Sequence, residues 1–300
     1  MTEYTKDGFI CCYHEKKGAQ SAIIALIGGN PDKGVAKAAK KWLMKKFGVN
    51  VLTSAPEGGF HSVPIEGIRS QIDYLRKQGN IRIGIIGVST TTAIALTAAS
   101  LYPDISLTIA LTPCDFIPEG FIRGRKDGYT EWPSDGESLL TKDGENLPYL
   151  EYAFRHPDYG NAVREQIKRT GDAIASFDIF AQSEKRTPLT EDKFIKVENI
   201  RGKILLIGAE DDSMWDTASY IARMKKRAGE NAECRVYEYG THFVYPEGML
   251  KTFLPVGGDL ITRLFVSGKK HPKECKETRK DIDRIMTRVI TEWTENRGLS

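Results

Sequence analysis

The sequence predicts an α/β fold: a mostly parallel sheet with helices on both faces and a cap inserted within it. Three observations carry that prediction. Short apolar or β-branched runs alternate with amphipathic segments along most of the 300 residues. The runs are near-continuous rather than strictly alternating, as in strands covered on both faces. One interval between runs, of about 90 residues, far exceeds what a single crossover helix needs.

Taken in order, the strand candidates are 21–27 (SAIIALI), 49–53 (VNVLT), 81–88 (IRIGIIGV), 107–111 (LTIAL), 203–207 (KILLI) and 235–239 (RVYEY). Helices are expected between them. Over 32–47, Val35, Ala38, Ala39, Trp42 and Leu43 recur at helical spacing, with Lys37, Lys40, Lys41 and Lys45 forming a solvated opposite face. Segments 65–77, 92–101 and 220–228 also have helical patterns, and 273–295 puts Ile282, Ile285, Met286, Val289, Ile290 and Trp293 on one face. The long interval, about 112–201, is rich in Gly, Pro, charge and aromatics, so it is expected to form a cap or lid within a single 1–300 domain.

Composition narrows the functional classes. There are 43 Lys+Arg against 40 Asp+Glu, a formal net charge of +3, and 40% of residues are hydrophobic. So small a surplus is far from the clustered basic stripe that phosphate neutralisation requires, and nucleic acid is not expected as a partner. No stretch approaches 18 consecutive apolar residues and the start lacks a basic, then apolar, leader, so neither a membrane span nor secretion is expected. Cys11, Cys12, Cys114, Cys234 and Cys275 are scattered without a C-x-x-C pair. They fit reduced thiols in a cytoplasmic protein better than a disulfide or metal framework.

The sharpest local signal is Gly84-Ile85-Ile86-Gly87-Val88-Ser89-Thr90-Thr91-Thr92, a strand running straight into a helix with serine at the junction. A nucleophile elbow needs this arrangement, because the tight turn exposes the hydroxyl and aims backbone N–H groups at developing negative charge. The triplet also occurs at Gly136-Glu137-Ser138 and Gly298-Leu299-Ser300, but neither follows an apolar run. The full G-x-S-x-G pattern is not met, since Thr91 stands where the second glycine would be. Its β-branched side chain is expected to open the elbow slightly or to rely on small neighbours. Serine is also a common helix cap, so the motif alone does not separate the two roles.

Two later features favour chemistry. The KILLI run leads into Gly208-Ala209-Glu210-Asp211-Asp212, and RVYEY leads into Gly240-Thr241-His242-Phe243. The order Ser89, Asp212, His242 is that of α/β-hydrolases, and C-terminal ends of parallel strands share one edge of the sheet, where distant residues converge. Asp211 is the alternative acid, and both aspartates are also suited to capping the next helix. His14, His61, His156 and His271 lack comparable placement, although His61 follows Gly58-Gly59-Phe60. An oxyanion hole needs the N–H after the nucleophile, here Thr90, and one from the loop after an early strand. Gly29 or Asn30, in Ile27-Gly28-Gly29-Asn30-Pro31, is the candidate second donor.

The segment GKILLIGAEDDSMWDTASYIARMKKRAGENAECRVYEYGTHFVYPEG, residues 202–248, resembles the C-terminal domain of acyl-CoA thioesterases and bile acid-CoA:amino acid N-acyltransferases. The shared features are Glu210-Asp211-Asp212, Trp215, His242-Phe243 and Tyr245-Pro246, and the elbow GVSTTTAIALTAA is similar to theirs. The resemblance implies an α/β-hydrolase fold with Ser89 as nucleophile, Asp212 as acid and His242 as base. Serine rather than cysteine at the nucleophile implies hydrolysis rather than amide transfer. The cap departs from the family pattern, and the cap shapes the acyl pocket. The expected activity is hydrolysis of a small-molecule acyl ester or thioester, acyl-CoA first, with no cofactor and no metal. The alternatives are a carboxylesterase or peptidase on the same fold, or a binding protein that retains the fold.

Overall fold

The protein is described from a computed structural model, which covers residues 2–126, 129–252 and 258–295. The triplet at 298–300 lies outside the described residues. The chain runs β1 (Thr2–Lys6), β2 (Phe9–His14), β3 (Ser21–Leu26), α1 (Gly34–Phe47), β4 (Asn50–Pro56), β5 (Val63–Pro64), α2 (Glu66–Lys77), β6 (Arg82–Val88), α3 (Thr91–Leu101) and β7 (Ile105–Leu111). The long interval follows with β8 (Glu119–Lys126), β9 (Tyr129–Ser138), β10 (Leu140–Lys142), β11 (Glu145–Asn146), α4 (Asp158–Thr170) and α5 (Phe177–Arg186). The chain then returns through β12 (Lys203–Ala209), α6 (Thr217–Ala228), β13 (Ala232–Tyr237), α7 (Glu247–Lys251), α8 (Asp259–Thr262), α9 (Val266–Lys270) and α10 (Pro272–Glu295).

Eight strands form the central sheet in the order β1-β2-β4-β3-β6-β7-β12-β13. From β4 to β13 all neighbours are parallel, whereas β2 runs antiparallel to both β1 and β4. The alternation of side chains explains why the middle strands read as solid apolar runs. Ala22, Ile24 and Leu26 enter one core layer with α2, α3 and α6, while Ile23, Ala25 and Ile27 enter the other with α1 and α10. On α10 the second layer receives Ile282, Met286, Val289, Ile290 and Trp293, the predicted stripe.

The N-terminal hairpin was not anticipated. Its turn, Asp7-Gly8, has φ of +48° and +80°, the positive pair that suits a tight antiparallel connection. The last strand also begins earlier than its alternation suggested, at Ala232, because it pairs in register with β12 from Ile204↔Ala232 onward.

The interval between β7 and β12 is the inserted cap region, with the β8–β9 hairpin at its start and α4 and α5 behind it. Two anchors hold it on the sheet. Asp115, fully buried just after β7, accepts a two-pronged pair from Arg223 of α6 at 2.6 and 2.7 Å. Arg223 also reaches Glu184 of α5 at 3.3 Å, and Tyr220 donates to the same carboxylate at 2.6 Å. Beside β12, the backbone N–H groups of Ser176 and Phe177 and the Gln166 amide all converge on the Ser213 carbonyl. The second anchor therefore sits next to Asp212.

Candidate active site

Three strand ends meet at one edge of the sheet. Ser89 leaves β6 with φ +56°, a left-handed conformation that a serine adopts only where its surroundings enforce it. Its N–H donates to Leu111 at the end of β7, and its carbonyl accepts from the Thr92 hydroxyl at 2.6 Å. Gly87 makes the turn possible, since a Cβ there would lie 2.7 Å from the Thr91 carbonyl oxygen and 2.8 Å from the Thr92 Cα.

Of the two expectations for Thr91, a small neighbour is the one observed: Gly87 lets the Thr91 backbone approach closely. The Thr91 hydroxyl takes up specific bonds, accepting from Val88 N–H at 2.9 Å and reaching the Leu26 carbonyl at 2.5 Å and that of Val88 at 2.9 Å.

Asp212 follows β12, and both of its carboxylate oxygens lie 2.9–3.0 Å from His242 Nδ1. The carboxylate also accepts from Met214 N–H at 2.8 Å and from the Thr217 hydroxyl at 2.5 Å. Acceptors only face Nδ1, so Nδ1 carries the proton and Nε2 is left as an acceptor. Nε2 lies 2.8 Å from Ser89 Oγ. Asp212 and His242 are 5% and 3% exposed, so the pair is dry while Ser89 remains partly open. Trp215 packs edge-on to the imidazole, with ring centroids 5.1 Å apart, and shields it from water.

Asp211, the alternative acid, points elsewhere. Its carboxylate accepts from Gly240 N–H at 2.9 Å, Thr241 N–H at 2.7 Å and the Ser267 hydroxyl, so it clasps the turn that delivers His242. Burial raises its pKa above the ordinary carboxylate range, against the pull of those three donors. Neither member of the pair caps α6; that role falls to Asp216, which accepts from Ser219 N–H at 3.1 Å. His61 is also elsewhere, paired with Glu137 at 2.7 Å.

Of the proposed oxyanion donors, Thr90 lines the same cavity as Ser89. Its N–H lies outside the α3 ladder, which begins with Thr92 N–H to Ser89 and Ala93 N–H to Thr90. Gly29 and Asn30 lie on the exposed loop after β3, and Asn30 folds its side chain back to accept from Asp32 N–H at 3.0 Å. They do not line the cavity with Ser89.

That cavity holds about 510 Å³, within the range of small-molecule sites. The cap contributes Tyr159, Val163 and Ile167 from one face of α4, and Phe180 from α5, opposite Trp215 and Phe243. Among the described lining residues Glu131 is the one carboxylate, and none is a lysine or arginine. The i, i+4, i+8 spacing of 159, 163 and 167 was visible in the sequence, but not which way that face would point. Thr217 and Ser267, which hold the two aspartates, carried no sequence signal at all.

A comparison with curated proteins returns no match. Among solved structures, the esterase Pf2001 of Pyrococcus furiosus is 13% identical, with 87% of each chain covered and a TM-score of 0.49. Est1E from Butyrivibrio proteoclasticus is 14% identical, with 96% of this chain and 98% of that chain covered and a TM-score of 0.49. A structure from work on carboxylesterases of Nitrososphaera gargenis is 13% identical, with 97% and 99% covered and a TM-score of 0.46. Among protein families, residues 63–249 match the model described as BAAT / Acyl-CoA thioester hydrolase C terminal, a span reaching from β5 to α7 and containing Ser89, Asp212 and His242. The match spans more than half of the chain, which belongs to that α/β-hydrolase-fold family.

Proposed function

We propose that this protein is a serine hydrolase of acyl esters or thioesters, with acyl-CoA thioesters as the leading substrate class. One observation carries the reading: Ser89 Oγ lies 2.8 Å from His242 Nε2, whose other nitrogen is held by Asp212. The family match supports the thioester class.

In this reading His242 Nε2 takes the Ser89 proton as Oγ attacks the acyl carbonyl carbon. The carbonyl oxygen becomes an oxyanion, stabilised by the N–H of Thr90, which lines the cavity beside Ser89 and lies outside the α3 ladder. Asp212 balances the imidazolium charge. Collapse of the intermediate breaks the bond to sulfur or oxygen, and His242 returns the proton to that leaving group. Water, deprotonated by His242, then attacks the acyl-enzyme, releases the acid and restores Ser89. The apolar wall of α4 and α5 receives the acyl group.

A second reading, carboxylesterase, is favoured by the apolar wall of Tyr159, Val163, Ile167 and Phe180, which suits the acyl group of a simple ester as well as that of a thioester. A matched panel separates the two: butyryl-CoA, p-nitrophenyl butyrate and an aminoacyl p-nitroanilide. The thioesterase reading predicts a kcat/KM for the CoA thioester at least about 10-fold above the simple ester. Equal or reversed preference supports the carboxylesterase, and amide turnover alone supports a peptidase. Turnover of none of the three leaves a binding protein on a retained fold.

A further inference from the structure

The last paired rung between β3 and β6 is Leu26↔Gly87. Beyond it a side chain continues the ladder: Val88 N–H donates to the Thr91 hydroxyl, and that hydroxyl reaches the Leu26 carbonyl. Thr91 is 4% exposed, so both backbone groups depend on it rather than on water. A glycine at this position, as in the full elbow pattern, has no atom with which to make the bridge. The two strand ends joined in this way matter for chemistry. One leads within a residue to Ser89, and the other leads through Ile27 into the loop that carries Gly29 and Asn30.

We propose that Thr91 is a positioning residue whose hydroxyl pins the nucleophile elbow to the end of β3, and so holds Ser89 Oγ toward His242 Nε2 and Thr90 N–H toward the cavity. The proposal rests on the serine hydrolase reading. Thr91 touches no reacting atom; it acts through Val88 and Leu26. Its effect therefore belongs in kcat, because the geometry it fixes is needed once the carbonyl oxygen moves into the hole.

Three variants test this with p-nitrophenyl butyrate turnover, a fluorophosphonate labelling rate and a thermal melt to confirm folding at the assay temperature. Thr91→Val keeps the branched shape and loses the bridge; kcat and the labelling rate should fall about 10-fold to 100-fold with KM within about 3-fold. Thr91→Ser keeps the hydroxyl and should retain kcat within about 3-fold of the parent. Thr91→Gly restores the common elbow pattern but not the bridge, and should lose kcat as Thr91→Val does. If Thr91 merely fills space, Thr91→Val will turn over as the parent does and Thr91→Gly will melt earlier yet turn over normally, and that result overturns the proposal. Ser89→Ala is the control: abolished labelling in this variant, with unchanged rates in all three Thr91 variants, removes the positioning role and leaves the hydrolase reading intact. Parent protein that is neither labelled nor active overturns both.

Discussion

Asparagine at each position of the Asp211-Asp212 pair should give opposite results, although the residues are adjacent and the substitutions identical. In Asp212→Asn, Oδ1 must remain an acceptor, because the Met214 N–H it receives at 2.8 Å cannot turn around. The amide nitrogen then occupies the place of Oδ2, next to the Thr217 hydroxyl, which can rotate, and 2.9 Å from His242 Nδ1. Oδ1 still lies 3.0 Å from Nδ1, but the new N–H at 2.9 Å repels a proton on Nδ1 and favours the tautomer with the proton on Nε2, in which Nε2 can no longer accept from Ser89. Loss of the correct tautomer, together with the charge opposite the imidazolium, costs about 10³–10⁴ in kcat, or about 4–5.5 kcal/mol of barrier.

In Asp211→Asn the two fixed donors, Gly240 and Thr241 N–H, both use Oδ1, so the amide oxygen stays there and the new NH₂ faces the rotatable Ser267 hydroxyl. All partners remain satisfied, and the loss is the charge assistance of those bonds, about 1 kcal/mol of stability. Turnover should stay within a few-fold. Steady-state hydrolysis of p-nitrophenyl butyrate, with thermal melts of both variants, reads the contrast. An Asp211→Asn enzyme as inactive as Asp212→Asn, or an Asp212→Asn enzyme with more than a tenth of parental kcat, would refute the assignment.

The cavity wall gives a selective prediction: Val163→Trp on α4 should cut kcat/KM for p-nitrophenyl octanoate by at least about 10-fold while sparing the acetate, because added volume competes only with a long acyl group. Equal loss for both esters would place the acyl group elsewhere. The cap anchor gives a stability prediction. Arg223→Ala strands a fully buried Asp115 without its cation and should cost about 3–5 kcal/mol in urea unfolding, whereas a loss under about 1 kcal/mol contradicts the anchor. His14 gives a pH prediction. Burial and the nearby Lys40 charge lower its pKa from 6.5 to about 4, so between those values the unfolded chain binds a proton that the folded chain refuses. Stability should thus fall as pH drops through that window, by about 2 kcal/mol at pH 5. His14→Gln should flatten the slope, and an unchanged slope in that variant rules out His14 as its source.

The sheet was legible because each central strand is buried on both faces, so its composition survives any error in boundaries. The hairpin β1–β2 is marked in the sequence only by Asp7-Gly8 at its turn, and its antiparallel pairing lies outside the βαβ alternation that makes the other strands legible. The chain order of Ser89, Asp212 and His242 came through because parallel topology puts strand ends on one edge. The choice between adjacent aspartates did not come from order alone: side chains of consecutive residues diverge, and only the direction of the turn decides which one faces Nδ1. The second oxyanion donor was the least legible element. Glycine identity shows that a backbone can approach closely but not where the loop points, and Gly29 and Asn30 lie exposed, away from the cavity with Ser89.

The central claim is that Ser89 is the nucleophile. Incubation with a fluorophosphonate, followed by intact mass and peptide mapping, should find a single adduct on the peptide containing Ser89, blocked by prior incubation with a turned-over ester, and none on Ser89→Ala. An adduct on another residue, or a Ser89→Ala protein that still hydrolyses the ester at the parental rate, would contradict the account.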